Sequence, residues 1–301
     1  MKIKIKSLTK GERAGYLYIL PAFIYIVLVM IYPLSFNLIL SFQEVNLTTL
    51  MKPTKDFIGL ENYRQVVTSL TFLISLKNSL IFTIGCIFFQ FTIGFAFALL
   101  FSLSFPLAGH LRGSLLITLM VPQVAVSILF RWLLSGDYGL INELLIKLHF
   151  IEEGIAWLSD PKTALAGVML ANIWIGIPFN MMILASGLTA IPPDIYEAAA
   201  VDGAGPLRRF ASLTLPLLRP SILIVLTLGF IYTFRIFGLI YAMTGGGPIN
   251  STTVLPILAY KLSFLFFEFG QGAAATNILL ILLFIIISAY LILTAREEAR
   301  E

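Results

Sequence analysis

Residues 163–193 read TALAGVMLANIWIGIPFNMMILASGLTAIPP, and this stretch contains no charged side chain. A transmembrane helix needs about 20 largely apolar residues, so the stretch is long enough to cross a bilayer. Five further segments are also long and largely apolar, and two of them contain a single arginine. The whole chain is 58% hydrophobic and 12% charged, whereas soluble domains are about 45–50% apolar and about 25% charged. The sequence therefore predicts an all-α, polytopic membrane protein with six transmembrane helices.

The same composition excludes several classes of protein. The single cysteine, Cys86, cannot form a disulfide framework, and a chain this apolar is not disordered. The two histidines, His110 and His149, belong to no cluster with metal-ligand spacing, so we predict neither a metal site nor a catalytic residue. The net charge of +4 is scattered along the chain without a basic stripe, so we expect no nucleic acid partner.

The six apolar segments also define the predicted organisation of the chain. The predicted spans are residues 16–42, 78–104, 113–136, 163–190, 220–243 and 269–295. An extracytoplasmic loop lies at 43–77, and a loop at 191–219 joins the fourth span to the fifth. Terminal tails lie at 1–15 and 296–301. Residues 254–267 are apolar too, but they are short and contain Lys261, so we interpret them as an interfacial or re-entrant segment.

The distribution of Lys and Arg predicts the orientation in the membrane. With six spans both termini lie on one side, and that side collects eleven basic residues against seven on the other. The positive-inside rule places the more basic side in the cytoplasm. We therefore expect a multi-pass protein of the cytoplasmic (inner) membrane, with both tails and the 191–219 loop in the cytoplasm.

The cytoplasmic loop has a pattern of its own. Residues 191–220 read IPPDIYEAAAVDGAGPLRRFASLTLPLLRP. Asp194 can cap a helix through the alanine run, and Gly203 then ends that helix and turns the chain. A second short helix carries Arg208 and Arg209. The small residues allow another protein to approach closely, but they could equally pack against the spans of this chain.

This loop resembles the EAA signature in the membrane subunits of ATP-binding-cassette (ABC) importers. That signature is Glu-Ala-Ala, three residues, Gly, nine residues, and then Ile-x-Leu-Pro. Here Glu197-Ala198-Ala199 precedes Gly203, and Leu213-Thr214-Leu215-Pro216 follows at the same spacing. Leu213 replaces the usual Ile, which is a conservative change. The resemblance implies the type I ABC importer permease fold, with residues 78–295 as the permease core.

Other segments are similar to the maltose-type carbohydrate importers within this group. They are Asn172-Ile-Trp-Ile-Gly-Ile-Pro-Phe179, Ala190-Ile-Pro-Pro-Asp194 and Thr244-Gly-Gly-Gly-Pro248, with loop motifs Phe57-Ile-Gly-Leu-Glu-Asn-Tyr63 and Trp157-Leu-Ser-Asp-Pro161. The chain is thereby identified as a member of the maltose-type permeases. Such a permease moves a sugar, here a di- or oligosaccharide, delivered by an external solute-binding protein.

The resemblance implies specific partners and a coupling surface. They are a second homologous permease, two ATPase subunits and an extracytoplasmic solute-binding protein. This chain lacks a G-x-x-x-x-G-K-[ST] sequence, so we expect no enzyme activity and no cofactor in it. ATP and Mg would be bound by the partner ATPase. The residues implied to contact that ATPase are Glu197, Ala198, Ala199, Asp202, Gly203, Arg208, Leu215 and Pro216.

The resemblance also implies a substrate cavity. Transporters of the alternating-access type bind their substrate near the middle of the membrane. Aligned with the maltose-type pattern, the cavity residues are Asn172, Gly176, Phe179, Gly229, Tyr232, Thr233 and Ile236. Several differ in type from the maltose transporter, so the identity of the sugar does not carry over. Polar and aromatic residues in spans also hold helices together, and that alternative stays open.

Two of the predicted spans contain an arginine, and these residues leave more than one structural or functional role open. Arg131 lies near the outer end of its span and can reach the lipid headgroups. Arg235 could face water, a partner carboxylate or an anionic substrate, which raises glycerol 3-phosphate or another polyol phosphate or phosphodiester as an alternative cargo. An ion-coupled secondary transporter would need carboxylates within the spans, whereas every Asp and Glu lies in a loop or tail.

Overall fold

A computed structural model describes the backbone of residues 10–103 and 105–298. Within these ranges the secondary structure is helical, and the only β pairing consists of isolated bridges. The chain divides into two compact units: the described residues up to Val66 with Lys261–Ile278, and Val67–Tyr260 with the described residues from Leu279 onward. The outer parts of the predicted tails, residues 1–9 and 299–301, lie outside the described residues.

The first unit begins with a long apolar helix. Its parts are α1 (Lys10–Ile26), a π-helical turn (Val27–Ile31) and α2 (Tyr32–Leu40). No residue in the most apolar window of Tyr18–Leu40 is buried within this chain. Polar side chains anchor its end, since Asn37 Nδ2 donates to Asn277 Oδ1 at 2.8 Å and Asn277 Nδ2 donates to Tyr63 Oη at 3.1 Å.

The remaining helices follow in chain order. They are α3 (Glu61–Thr68), α4 (Leu70–Ser102), α5 (Ala108–Ile117), a 3-10 turn (Thr118–Met120), α6 (Gln123–Leu133), α7 (Leu140–Lys147), α8 (Ala164–Thr189), α9 (Pro193–Val201), α10 (Pro206–Arg209), a π-helical turn (Phe210–Thr214), α11 (Leu215–Phe234), α12 (Gly238–Thr244), α13 (Leu255–Tyr260), a π-helical turn (Lys261–Leu265) and α14 (Phe269–Glu298).

The core of the second unit is the packing of α4 against α8 and of both against α11. Small residues let the first two backbones approach closely. A Cβ atom on Gly94 would lie 2.6 Å from Asn180 Cβ, so only glycine fits there. Buried apolar side chains fill the remaining space, among them Phe82, Met181 and Leu218. This close contact of small residues is typical of helices that associate within a membrane.

Five helices in the described chain are long and apolar enough to span a membrane, and a bent pair raises the number to six. The bent pair corresponds to the predicted span at 113–136, which the structure divides into Ala108–Met120 and Gln123–Leu133 with a bend of 104°. Val121 is extended (φ −77°, ψ 124°) at the break. The cause is Pro122, because a proline disfavours the helical conformation in the residue before it.

The fifth predicted span also differs from the structure. Residues 220–243 do not form one helix, because α11 ends at Phe234 and α12 starts at Gly238. The first of these helices begins at Leu215, inside the predicted loop at 191–219. Hydropathy alone does not detect the break at Arg235. The apolar segment at 254–267 forms a short helix, Leu255–Leu265, which is below the length of a span.

Candidate functional site

One cavity in the second unit has a volume of about 410 Å³. Helix α8, helix α11 with the turn after it, helix α4, and the segment around the bend at Pro122 supply its walls. The lining residues are Gln90, Leu119, Gln123, Asn172, Ile175, Gly176, Phe179, Asn180, Gly229, Tyr232, Thr233, Arg235, Ile236 and Phe237. All seven residues that the sequence resemblance implied for a substrate cavity lie in this lining. Their role in binding stays a prediction.

Amide side chains give the cavity its polar character. Gln90 Nε2 donates to the backbone oxygen of Asn172 at 2.8 Å, and Asn180 Nδ2 donates to the backbone oxygen of Gly176 at 2.8 Å. Asn172 is 6% exposed, and its Nδ2 has no hydrogen-bond partner among the described residues. The thiol of Cys86 lies beside this amide, and a thiol is only a weak acceptor. Asn172 therefore brings a buried amide, with this weak acceptor beside it, to the wall of the cavity.

Aromatic side chains form a second wall. Phe179 and Tyr232 meet edge to face, with ring centroids 6.0 Å apart and an interplanar angle of 86°. Tyr232 is 51% exposed in this chain. The guanidinium carbon of Arg235 lies 5.3 Å from the centroid of the Tyr232 ring, which is a cation–π distance. The cavity thus combines an aromatic surface, amides and one cation.

The two glycines of the cavity differ in how much room the structure leaves for a side chain. A Cβ on Gly176 would lie 2.2 Å from Gln90 Cδ, so glycine here permits the approach of α4. A Cβ on Gly229 would meet only Ile87 Cγ1, at 3.9 Å, which is ordinary contact. Thr233 and Ile236 are largely buried and contribute mainly to packing.

Sequence reasoning missed several lining residues, notably Gln90 and Gln123. Gln90 is an amide in the middle of an apolar span, and such residues commonly join helices or face a cavity. Gln123 follows Pro122 at the bend that hydropathy did not indicate. Both come from segments remote from the motif that identified α8, which is why they were not found.

The predicted coupling residues lie around a turn between α9 and α10. Gly203 has a φ of +78°, a left-handed conformation that favours glycine, so the predicted turn is present. The predicted cap by Asp194 is wrong. The helix starts two residues earlier, at Pro193, with Pro192 at its N-cap and no side-chain cap, which leaves Asp194 in the first turn. A carboxylate there still favours the helix dipole.

Most of this coupling surface is exposed to solvent. Glu197, Ala198, Asp202, Gly203, Arg208 and Pro216 are exposed, and Ala199 and Leu215 are partly buried. Val201 and Leu207, one on each side of the turn, are 89% and 81% exposed. Large apolar side chains at such exposure, next to an exposed Ala198, argue against a loop packed onto its own spans.

A hydrogen bond ties the coupling surface to the cavity helix. Tyr196 Oη on α9 lies 3.0 Å from Thr214 Oγ1, the residue before α11. Helix α11 then runs for 20 residues, with Pro220 inside it, and carries Gly229, Tyr232 and Thr233 in its last turns. At 1.5 Å per residue this helix is about 30 Å long. One helix therefore connects the coupling surface with the cavity.

Comparison with known proteins identifies the class to which this architecture belongs. The model of the family described as "Binding-protein-dependent transport system inner membrane component" matches residues 90–298. The chain belongs to this family, and it is a membrane-embedded permease of an ABC importer.

Individual relatives are similar over nearly their whole length. The permease SmoG of a sulfoquinovosyl glycerol transport system in Agrobacterium fabrum is 35% identical over 93% of this chain and 90% of that protein. The trehalose/maltose permease MalF of Thermococcus litoralis is 33% identical, over 94% and 92%. The diacetylchitobiose permease DasB of Streptomyces coelicolor is 32% identical, over 97% and 89%.

Solved structures confirm the predicted fold. A chain of a bacterial ABC transporter involved in the import of alginate superposes with a TM-score of 0.81. It is 20% identical, and the match covers 95% of this chain and 96% of that one. The methionine ABC transporter MetNI in an inward-facing form gives a TM-score of 0.52 over 74% of this chain and 92% of that one. The chain therefore has the type I ABC importer permease fold.

Proposed function

We propose that this chain is a permease of a saccharide importer, and that the 410 Å³ cavity holds the saccharide during its passage. The convergence on one cavity of the seven residues that the resemblance implied carries the proposal. Its volume lies within the about 300–1,000 Å³ of typical ligand sites. The three relatives named above serve a sulfoquinovosyl glycerol, a trehalose/maltose and a diacetylchitobiose system, which supports a di- or oligosaccharide as cargo.

The chemistry of the cavity suits a sugar. An aromatic surface such as Tyr232 can stack on the apolar face of a pyranose ring. The amides of Gln90, Gln123 and Asn172 can exchange hydrogen bonds with its hydroxyl groups. A site that combines an apolar wall with a few placed polar groups orients its ligand without trapping it.

The cavity is incomplete in one chain, and we infer that a second, homologous permease closes it. Tyr232 lies within an apolar span and is half exposed, and Arg235 beside it is exposed as well. A charge and a half-exposed tyrosine at membrane depth need a polar neighbour or water. A partner subunit that faces the same space would provide both.

The transport cycle that we propose follows from the connection between the surface and the cavity. Two partner ATPase subunits bind ATP and Mg, and one of them contacts the exposed turn around Gly203. Its movement would displace α9, and the Tyr196–Thr214 hydrogen bond and α11 would pass that displacement to Tyr232. The cavity would then open alternately to the two sides of the membrane. In this proposal the chain itself hydrolyses no ATP and holds no cofactor.

The orientation that we propose puts the coupling turn and both termini in the cytoplasm. It rests on the excess of Lys and Arg on that side of the six spans. The solute-binding protein then delivers its saccharide to the opposite side. Arg208 and Asp202 would face the ATPase as exposed charges.

Uptake by the reconstituted importer tests the proposed function. Proteoliposomes that contain both permeases, the ATPase and the solute-binding protein should accumulate a labelled saccharide when ATP is present. Tyr232→Ala should lower the initial rate at least ten-fold, because it removes the aromatic surface of the cavity. Tyr18→Ala removes an exposed tyrosine outside the cavity and is the matched control. Equal rates in Tyr232→Ala and wild type would refute the assignment of the cavity.

A further inference from the structure

Arg235 is the one charged residue among the described residues that line the cavity. It directly follows α11 and acts as the C-cap of that helix. The ring of Tyr232, 5.3 Å from the guanidinium carbon, holds the cation on the cavity side of the helix end. Phe179 in turn packs edge-on against Tyr232. The cation is therefore held by the aromatic wall that we assign to the sugar.

Among the described residues, no carboxylate forms an ion pair with Arg235. All six predicted spans lack Asp and Glu. Two ion pairs of the described chain, Arg64–Glu61 and Lys147–Glu143, both lie outside the spans. Arg131, the other span arginine, differs in this respect, because it lines a separate cavity together with Asp137. An arginine within a span is expensive unless an anion or water meets it, and it commonly marks a substrate pathway.

We propose that the cargo is a saccharide with one anionic substituent (a sulfonate, carboxylate or phosphate), and that Arg235 is the residue that selects this charge. The inference rests on the proposed function of the cavity. The guanidinium group presents a planar fork of donors that fits two oxygens of such a group. A lysine at the same place would supply charge without the fork.

The remaining lining fits the uncharged part of the same ligand. Asn172 belongs to the lining of the cavity that contains Arg235, and its buried Nδ2 has the weakly accepting Cys86 thiol beside it. The amides of Gln90, Gln123 and Asn180 line the same space. Such a ligand would contact each chemical feature of the cavity. Its anionic group would bind Arg235, its hydroxyl groups the amides, and its ring face Tyr232. A neutral sugar would leave the cation without a counterion.

A direct binding experiment tests the inference. It omits the solute-binding protein, so that the selectivity of that protein does not contribute. The purified complex of both permeases and the ATPase is titrated calorimetrically with methyl glucoside, methyl glucuronide and the 6-sulfonate analogue of methyl glucoside. These probes share one ring and differ at the sixth carbon. We expect the two charged glycosides to bind about ten- to hundred-fold more tightly than the neutral one, as is typical of hydrogen bonds to a charged group. Higher salt should reduce this preference.

Variants at the two span arginines assign the preference to a residue. Arg235→Gln should abolish it, so that the charged glycosides bind no more tightly than methyl glucoside to the same variant. Arg235→Lys should retain part of it, because the charge remains while the fork is lost. Arg131→Gln, which removes a span arginine outside the cavity, should retain the full preference.

Each contrary outcome has a distinct meaning. Equal affinity for neutral and charged glycosides overturns the inference, and the proposed function survives if Tyr232→Ala weakens both. If no glycoside binds, the proposed function fails too. If glycerol 3-phosphate or inorganic phosphate binds as tightly as the charged glycosides, the site recognises an anion and not an anionic saccharide, which overturns the inference. Loss of the assembled complex in both Arg235 variants would indicate a carboxylate of the second permease as partner, which also overturns it.

Discussion

The contact between Gly176 and Gln90 makes the sharpest prediction about the cavity. A Cβ on Gly176 would lie 2.2 Å from Gln90 Cδ, 2.4 Å from its Nε2 and 2.6 Å from its Oε1. Gly176→Ala must therefore displace the Gln90 amide and break its hydrogen bond to the backbone oxygen of Asn172. The displaced side chain lines the cavity, so we expect it to reduce the space for the saccharide.

The size of the effect on stability follows from two costs and one smaller gain. Leaving a buried polar group unpaired costs about 1–3 kcal/mol, and overpacking a well-packed site typically costs about 1–3 kcal/mol. The gain in helix propensity from Gly to Ala offsets about 1 kcal/mol of this. We therefore expect a net loss of about 1–5 kcal/mol in stability and a raised KM for the saccharide.

The assay compares matched variants of the assembled transporter. Thermal unfolding in detergent and saccharide uptake are measured for Gly176→Ala, Gly229→Ala, Gln90→Ala and the double variant Gly176→Ala with Gln90→Ala. At Gly229 the nearest atom is 3.9 Å from the added Cβ, so this variant should be neutral or slightly stabilised. In the Gln90→Ala background Gly176→Ala should no longer destabilise. Equal stability and KM for Gly176→Ala and wild type would refute this reasoning.

Three further predictions concern the coupling surface and an outer loop. Gly203→Val forces a side chain into a φ of +78° and should cost about 1–2 kcal/mol locally. It should lower saccharide-stimulated ATPase activity with membrane insertion intact, while Gly205→Val, at a φ of −68°, should not. Tyr196→Phe removes the bond to Thr214, worth about 0.5–1.5 kcal/mol. It should weaken ATPase stimulation as much as Thr214→Val, and additive effects in the double variant would contradict a direct link. Asn142→Ala removes bonds to Ser135, Ile155 and the Trp157 indole, so about 1–3 kcal/mol of local stability should be lost. Proteolysis within residues 137–162 should accelerate, and an unchanged cleavage rate would count against this role.

Much of the architecture was predictable from the sequence because it depends on charge and length. The charge-free stretch around α8 indicated a span, and the helix found there is Ala164–Thr189. The breaks within two of the predicted spans were harder to predict, since a hydropathy window averages residue polarity and is insensitive to backbone geometry. The sequence contains the cause of the first break, Pro122, and the second lies at Arg235, but an apolar window conceals both.

The residues of the candidate site were also only partly predictable from the sequence. The resemblance to the maltose-type permeases indicated seven residues, and the structure brings all of them to one cavity. Gln90 and Gln123 reach that cavity only through the packing of α4 and the bend before α6, which no local pattern specifies. The exposure of Val201 and Leu207 could not be predicted either, because it depends on how the turn at Gly203 directs the two short helices.

The central claim, that the saccharide passes through this cavity, is tested most directly by photolabelling. A diazirine derivative of a transported saccharide is irradiated with the assembled importer in the presence of the solute-binding protein and ATP, and the labelled peptides are mapped by mass spectrometry. We predict labels on residues 172–180 and 229–236, reduced by excess unlabelled saccharide. Competed labelling confined to other surfaces, with none in these two segments, would contradict the account.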